Sequence, residues 1–280
     1  AYFDKGPKLF HYGARSAILT NVEFDHADIY ANLAQVEYAF SRWAAMIPRD
    51  GLLAYCVDDP GARGVAQRHA RCRIRPYGLD PKTAQITARG VRYEAGGVTF
   101  RLVASATETM PEASVEVRSP LTGEHNLLNT LGAATVALDL GLSADEVAAG
   151  VAAYEGVVKR QQVVGEVDGI TVVDDFAHHP TAVRETLRAL RRRYPGRRLL
   201  VAFEAKSNTS RMNVFHAAYV EALSEADAAV IARPFVKKDT IPDDQRLDVN
   251  VLAEDIVATG TEAVLIPDVD DIARWLADAA

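Results

Sequence analysis

One stretch of thirteen residues, in which a strand-like run meets a helix-like run, decides the fold: Gly169-Ile170-Thr171-Val172-Val173-Asp174-Asp175-Phe176-Ala177-His178-His179-Pro180-Thr181. Residues 170–173 favour a buried strand, and Thr181 can cap a helix over residues 182–193. In open α/β sheets, the loop between such elements lies where ligands bind. Two carboxylates and two imidazoles in this loop therefore predict a functional site, although a single Asp or His would more simply cap a turn.

The same succession of apolar strand, polar loop and helix recurs on both sides of this stretch. Residues 16–22 read as a strand that leads into an acidic loop and a helix over 33–46. Residues 198–203 lead into the polar loop 204–211. Further strands over 228–231 and 263–266 alternate with helices over 214–224, 248–258 and 269–278. This alternation predicts a parallel, doubly wound sheet.

The middle of the chain carries a different pattern. The apolar strand 52–57 ends in Asp58-Asp59-Pro60-Gly61, which predicts a turn. Residues 72–118 alternate between apolar and polar, with Gly96-Gly97 suited to a hairpin turn, so we expect an antiparallel subdomain. Its tip, residues 104–113, is expected to be exposed and is assigned no chemistry.

Length and composition favour two α/β domains. The 280 residues are 49% hydrophobic, and we place the boundary at Gly165, which gives domains 1–164 and 165–280. A net charge of −7 argues against a nucleic-acid or anionic membrane surface, and no apolar run approaches the roughly 20 residues of a membrane span. Cys56 and Cys72 lack metal or redox spacing, so we expect reduced thiols in a cytoplasmic protein. The chain begins at Ala1 rather than Met, and we expect a piece of a longer protein.

Three further groups of residues are candidates for nucleotide and metal binding. Residues 23–28 hold three carboxylates and His26, which suits Mg²⁺ near phosphates, although such a cluster also favours a helix dipole. A helix from Asn126 to about Leu140 presents Asn126 and Asn129 one turn apart; they could bind a purine edge or a ribose, or His125 or Asn126 could simply cap the helix. Arg160 could clamp a phosphate oxygen, and a solvated linker charge is the alternative.

Taken together, three segments resemble the Mur ligase family: residues 20–28, residues 123–129 and residues 174–181. The resemblance covers essentially the whole chain. It implies a central ATP-binding domain, with a mostly parallel sheet and a small antiparallel subdomain, followed by a Rossmann-like C-terminal domain. It also implies ATP and Mg²⁺ as cofactors.

The reaction implied by the resemblance is amide formation. ATP phosphorylates the carboxylate of UDP-N-acetylmuramate, and a free amine attacks the acyl phosphate through a tetrahedral intermediate. Residues 24–28 and 204–209 resemble family members that use the murein tripeptide L-alanyl-γ-D-glutamyl-meso-diaminopimelate as the amine in peptidoglycan recycling. L-Alanine-adding and folylpolyglutamate-type ligases are the alternatives within the family.

The resemblance also implies residue roles. His26 matches a magnesium ligand, and Asp175 and His178 match catalytic residues that close over the nucleotide. Lys206, also given a catalytic role, lies with Ser207 and Asn208 where the peptide or acyl phosphate would be. The matches to the nucleotide-binding residues are His125, Asn126, Asn129, Arg160 and Asp175.

Several family features are missing from this sequence. It contains no Gly-x-x-x-x-Gly-Lys-[Ser/Thr] phosphate loop, and the N-terminal UDP-binding domain and the last glycine-rich strand and helix are absent. Ala205-Lys206 replaces a commoner Pro-Arg, which leaves the peptide contacts open.

Two hypotheses of other classes compete with a ligase. A metal-dependent hydrolase would use Asp174, Asp175, His178 and His26 on one transition metal and would turn over without nucleotide. A non-catalytic relative would bind ATP weakly without contributing to ligation. Tightly held zinc would favour the hydrolase, and labile magnesium seen only with nucleotide would favour the ligase.

Because the phosphate loop is missing, we predict that the 280-residue chain alone does not form amide bonds. The measurement is an ATP- and Mg²⁺-dependent ligation assay on the purified chain. Turnover above the no-enzyme control would contradict this expectation.

Overall fold

A computed structural model describes residues 6–94, 96–234 and 241–280, and the chain forms two compact units that divide between Glu155 and Gly156. Gly165, where the sequence placed the boundary, lies instead inside a strand of the second unit. Each unit has its own buried core. In the described part of the chain, no helix is long and apolar enough to cross a membrane.

The first unit is built on one six-stranded sheet. Its first four strands run parallel, and its last two strands continue the same sheet in antiparallel fashion. The predicted antiparallel segment is present over residues 86–119 and continues the same sheet, whereas residues 73–78, also assigned to it, form a strand that pairs parallel with both of its neighbours. The predicted hairpin forms, with Glu94 paired to Gly97. The elements are β1 (Ser16–Leu19), α1 (Leu33–Met46), β2 (Leu52–Cys56), α2 (Pro60–His69), β3 (Arg73–Gly78), β4 (Ile86–Glu94), β5 (Gly97–Ala104), β6 (Ala113–Ser119), α3 (Glu124–Asp139) and α4 (Ala144–Ala152).

Strand β2 lies between β1 and β3, and all five of its residues are buried. Leu53 and Tyr55 pack into a core with α1 and α2, whereas Ala54 and Cys56 pack into a second core with α3 and α4. Because successive side chains of a strand point to opposite faces, β2 carries helices on both sides. This burial explains its uninterrupted apolar sequence.

Two carboxylates after β2 join separate segments of the first unit. One oxygen of Asp59 accepts hydrogen bonds from the backbone N–H groups of Ala62 (2.6 Å) and Val22 (3.2 Å). Burial raises the pKa of the Asp59 carboxyl, although these hydrogen bonds oppose the shift. Asp58 accepts from Leu79 N–H at 2.6 Å. The predicted turn is thus the start of helix α2, with Asp59 as its N-cap and Pro60 in its first turn.

The tip of the antiparallel segment is less exposed than the sequence suggests. Met110 is only 1% exposed and belongs to the core beneath α3. The Thr109 hydroxyl donates to Asp139 at 3.0 Å, and Arg73 also pairs with Asp139 at 2.9 Å. Most residues of the tip are exposed as predicted, and Met110 is buried because its contacts come from residues distant in sequence.

The second unit contains a three-stranded parallel sheet and a separate two-stranded hairpin. The three strands of the sheet lie side by side in chain order and run parallel, which confirms the predicted parallel alternation. The elements are β7 (Gln162–Val167), β8 (Ile170–Asp174), α5 (Pro180–Arg193), β9 (Leu200–Glu204), α6 (His216–Leu223), β10 (Ala228–Ala232), α7 (Val249–Ala258), β11 (Glu262–Ile266) and α8 (Val269–Ala279).

Strand β8 forms where it was predicted, but it is not a buried parallel strand. It pairs antiparallel with β7, and Ile170 and Val172 are 38% and 50% exposed. Asp168 and Gly169 both have positive φ, 48° and 82°, which fits a two-residue hairpin turn that turns β8 back onto β7. The apolar run alone could not show which partner the strand would take.

The cap of α5 also differs from the prediction. His179, not Thr181, is the N-cap, and its Nδ1 accepts a hydrogen bond from Thr181 N–H at 3.3 Å. Pro180 occupies the first helical position, where a missing N–H costs nothing, so the cap falls two residues earlier.

Two glycines in helices of the first unit provide a matched test of how closely helix α2 packs against Val22. A Cβ at Gly61 would lie 2.7 Å from the Val22 carbonyl oxygen, whereas a Cβ at Gly150 in α4 would meet nothing within 4 Å. We expect Gly61→Ala to destabilise the first unit by about 1–3 kcal/mol. Gly150→Ala should stabilise it by about 0.5–1 kcal/mol. Urea unfolding of both variants checks this, and equal effects of the two substitutions would contradict the close approach of α2 to Val22.

Candidate functional site

A single carboxylate ties two segments of the second unit together. Asp175 Oδ2 accepts a hydrogen bond from Gln161 N–H at 2.8 Å, and its Oδ1 accepts from Ala177 N–H at 2.6 Å. The Phe176 N–H donates to the Lys159 carbonyl at 2.8 Å. These bonds join residues 159–161, which we call the arginine turn, to residues 174–179, which we call the histidine loop.

The backbone of the arginine turn is unusual on both sides of Arg160. Lys159 and Gln161 have φ values of 61° and 48°, in the left-handed region that non-glycine residues rarely adopt. Such conformations cost about 1–2 kcal/mol each and persist only where the surroundings fix them. Here Lys159 N–H also donates to the Gln162 side chain at 3.0 Å, and Gln161 is 8% exposed. The backbone position of Arg160 is therefore firmly determined.

Three of the predicted site residues come together around Phe176. The Arg160 guanidinium carbon lies 5.4 Å from the centre of the Phe176 ring. The His178 ring lies 5.2 Å from the same ring in an edge-on arrangement, and its Nδ1 is 3.0 Å from the Phe176 carbonyl oxygen. Arg160, Asp175 and His178 thus form one cluster, although they come from two separate segments.

The histidine loop is anchored to the core of the second unit. The hydroxyl of Tyr219, a fully buried residue of α6, donates to the His178 carbonyl oxygen at 2.5 Å. The His179 ring packs edge-on against Phe215 with 4.9 Å between ring centres. His179 therefore has a structural role as cap and packing residue, whereas His178 belongs to the cluster around Phe176.

The loop after β9 is ordered by its own side chains. The Ser207 hydroxyl donates to Ser210 Oγ at 2.9 Å, and Asn208 Oδ1 accepts from the guanidinium of Arg211 at 2.9 Å. Arg211 is only 7% exposed. Ser207 and Asn208 thus help to shape this turn, and Lys206 is exposed beside it.

His26 of the first unit lies in an exposed loop that reverses direction. Its φ is 53°, and its carbonyl accepts from Ile29 N–H (2.7 Å) and Tyr30 N–H (2.9 Å). Asp25 accepts from His26 N–H at 2.6 Å, and the Asp25 carboxylate is 4.0 Å from His26 Nε2. Imidazole and carboxylate are therefore neighbours at the end of β1.

The start of α3 is capped without a side chain. Gly123 is the N-cap, with a φ of 97° that favours glycine. Asn126 donates to the Thr122 carbonyl at 2.8 Å, while Asn129 is exposed and His125 is half-buried. Capping by His125 or Asn126 is thus not observed. Asn129 lies one helical turn from Asn126, as predicted.

A metal-dependent hydrolase and a magnesium-using ligase need different numbers of protein ligands for their metal ions. Over residues 6–94, 96–234 and 241–280, no three His, Cys, Asp or Glu side chains form a group that could hold a metal ion. A transition-metal hydrolase needs at least three protein ligands, whereas Mg²⁺ takes one or two and completes its shell with water and phosphate. The pair Asp25 and His26 fits the second case.

Fold and loops together define a two-unit α/β protein with polar loops that follow its strands. A family model described as the Mur ligase middle domain matches residues 10–137, and one described as the Mur ligase glutamate ligase domain matches residues 159–280. The chain therefore belongs to the Mur ligase family, of which it carries the middle and C-terminal domains.

Similar proteins come from several organisms. The UDP-N-acetylmuramate–L-alanine ligase of Acidothermus cellulolyticus is 39% identical over 227 residues, which cover 80% of this chain and 46% of that protein. The protein of the same name from Clostridium kluyveri is 28% identical over 259 residues, or 92% of this chain and 54% of that protein. The chain thus spans about half the length of the curated relatives it matches.

Solved structures share the fold. A murein peptide ligase from Psychrobacter arcticus 273-4 is 26% identical with a TM-score of 0.66, covering 99% of this chain and 54% of that one. A folylpolyglutamate synthase of Mycobacterium tuberculosis complexed with ADP has a TM-score of 0.70 at 21% identity, covering 96% of this chain and 57% of that one. The second likeness concerns the fold alone.

Sequence reasoning missed two residues that build the cluster. Phe176 was quoted without a role, although an aromatic ring inside a run of acids and histidines is itself a signal. Tyr219 could not have been found, because its link to His178 spans 41 residues and depends on the packing of α6.

Asp174 and Asp175 allow a direct test of whether the Asp175 carboxylate holds the arginine turn and the histidine loop together. An Asn at position 175 keeps one acceptor oxygen but turns an N–H₂ group toward a backbone N–H. We expect Asp175→Asn to destabilise the second unit by about 1–3 kcal/mol. Asp174→Asn, at the end of β8, should change stability by less than about 0.5 kcal/mol. Urea unfolding of both variants measures the difference, and similar losses would show that Asp175 does not hold the two segments.

Proposed function

We propose that this chain forms the ATP-handling part of an amide ligase that joins the carboxylate of UDP-N-acetylmuramate to an amine. The observation that carries the proposal is the cluster of Arg160, Asp175 and His178, held together in a domain of the Mur ligase type. Family membership supplies the reaction class, and the cluster supplies a place for the phosphates.

Arg160 is the residue best suited to bind phosphate oxygens. Its guanidinium is permanently charged, exposed and carries five N–H donors in a planar fork. Its backbone is fixed by the arginine turn, so less conformational freedom is lost when an anion binds. His178, beside it, provides an imidazole that can donate to or accept from the reacting groups.

In the first unit, we assign nucleotide binding to the start of α3 and magnesium binding to His26. The N–H groups of a helix start favour anions, and Asn129 presents an exposed amide there, one turn after Asn126 and near His125. When bound, Mg²⁺ neutralises phosphate charge and orients the phosphate for attack. His26, with Asp25 beside it, would hold the ion.

Similar proteins support two different amine substrates for this ligase. The curated relatives described above are L-alanine ligases, which supports L-alanine. The murein peptide ligase structure supports the tripeptide L-alanyl-γ-D-glutamyl-meso-diaminopimelate, which was our first expectation from residues 204–209. We propose that Lys206 faces the incoming amine substrate, with Ser207 and Asn208 setting the shape of the turn that presents it.

Both cysteines are free thiols, Cys56 buried and Cys72 half-buried. Free thiols are typical of reducing compartments. We therefore propose a cytoplasmic location, where nucleotide-linked muramate would be available as substrate.

A ligation assay tests the proposal. The full product of the gene that encodes this chain is supplied with UDP-N-acetylmuramate, ATP and Mg²⁺, and with either L-alanine or the tripeptide. We expect amide product and ADP with one acceptor, and Arg160→Ala should raise the ATP KM by about tenfold. Arg197→Ala, which changes an arginine outside the cluster, is the matched control. Hydrolysis without nucleotide, or no product with either amine, would contradict a ligase.

A further inference from the structure

We propose that Phe176 is a positioning residue, whose ring holds the Arg160 guanidinium in place for the triphosphate. The inference rests on the proposed nucleotide function and adds a role for a residue that carries no reactive group. It starts from the exposed ring in the middle of the cluster.

The Phe176 ring lies open to solvent although it is large and apolar. It is 56% exposed, in a loop that otherwise carries acids and histidines. The Arg160 guanidinium lies over it at 5.4 Å, and the His178 ring meets it edge-on at 5.2 Å. Both distances are within the range in which rings attract cations and other rings. The ring thus touches two of the residues assigned to the reaction.

The contact with the Phe176 ring leaves the positive charge of the Arg160 guanidinium available to bind an anion. Within the described residues, no hydrogen bond or ion pair engages the Arg160 guanidinium, and the Phe176 ring is its partner. A carboxylate partner would occupy the N–H donors and cancel the charge, whereas an aromatic ring attracts the cation through its face and leaves the donors in the guanidinium plane free. The arrangement suits an arginine that must meet an anion.

Backbone hydrogen bonds fix the segment that carries the Phe176 ring to the segment that carries Arg160. Phe176 N–H donates to the Lys159 carbonyl, and Asp175 accepts from Gln161 N–H, so hydrogen bonds reach the residues on both sides of Arg160. A ring fixed at this distance limits the side-chain rotamers of Arg160 before the nucleotide arrives. Preorganisation of this kind strengthens binding because less entropy is lost on association.

The test uses the full product of the gene that encodes this chain, with two replacements of the ring and one control. Phe176→Leu removes the ring and keeps an apolar side chain, while Phe176→Tyr keeps the ring. Tyr194→Leu is the control, because the Tyr194 ring lies under Arg193 and Arg197 at 5.4 and 5.6 Å, away from the cluster. The first readout is the NMR signal of the Arg160 Nε–H group, which the ring current of Phe176 shifts. The second is calorimetric binding of a non-hydrolysable ATP analogue with Mg²⁺.

We expect Phe176→Leu to move the Arg160 signal toward the position of a free arginine and to weaken analogue binding about threefold to fivefold. Phe176→Tyr should restore both, and Tyr194→Leu should change neither. In an Arg160→Ala background, Phe176→Leu should cause no further loss, because the ring acts only through the arginine.

Two results would overturn the inference: an Arg160 signal unchanged by Phe176→Leu, or an equal loss of binding from Phe176→Leu when Arg160 is already Ala. If the unaltered chain binds no analogue, the proposed nucleotide function loses its support. The Arg160 signal would still decide whether Phe176 holds the guanidinium, so the two failures remain distinguishable.

Discussion

The candidate site of the second unit depends on the carboxylate of Asp175. Each of its oxygens accepts a backbone hydrogen bond, one from Gln161 and one from Ala177. The bond from Gln161, together with the bond from Phe176 N–H to the Lys159 carbonyl, holds the strained backbone on both sides of Arg160, and the bond from Ala177 fixes the loop that carries His178. A charged acceptor can supply this because hydrogen bonds to ionised groups are stronger than neutral ones. Asp175 therefore shapes the site, whatever further contact its remaining lone pairs make with a ligand.

In the first unit, carboxylates that follow strand β2 also join separate segments by accepting backbone hydrogen bonds. Asp59 joins the segment after β1 to the start of α2, and Asp58 joins the end of β2 to the segment after β3. Acidic residues that follow strands are easily interpreted either as plain turns or as catalytic groups. In this protein, three of them accept backbone hydrogen bonds that join separate segments of the chain.

Sequence predicted the elements with a strong local pattern and missed those that depend on distant partners. Helix α1 and the parallel strands β9 to β11 were found because their periodicity and alternation are local properties. Helix α2 was missed because two glycines weaken its pattern. The pairing of β8 with β7 and the contact between Phe176 and Arg160 depend on how the chain returns on itself, which no single segment records.

The central claim is that the Asp175 carboxylate holds the arginine turn and the histidine loop together. Amide hydrogen exchange at Gln161 and Ala177 tests it most directly, because both N–H groups are bound to the same carboxylate. We expect the two amides to have the same protection factor, which is the factor by which exchange is slower than in an unstructured peptide, and a complex with Mg²⁺ and ADP to raise both by the same factor. Protection factors that differ by more than about tenfold, or a rise at only one amide, would contradict this account.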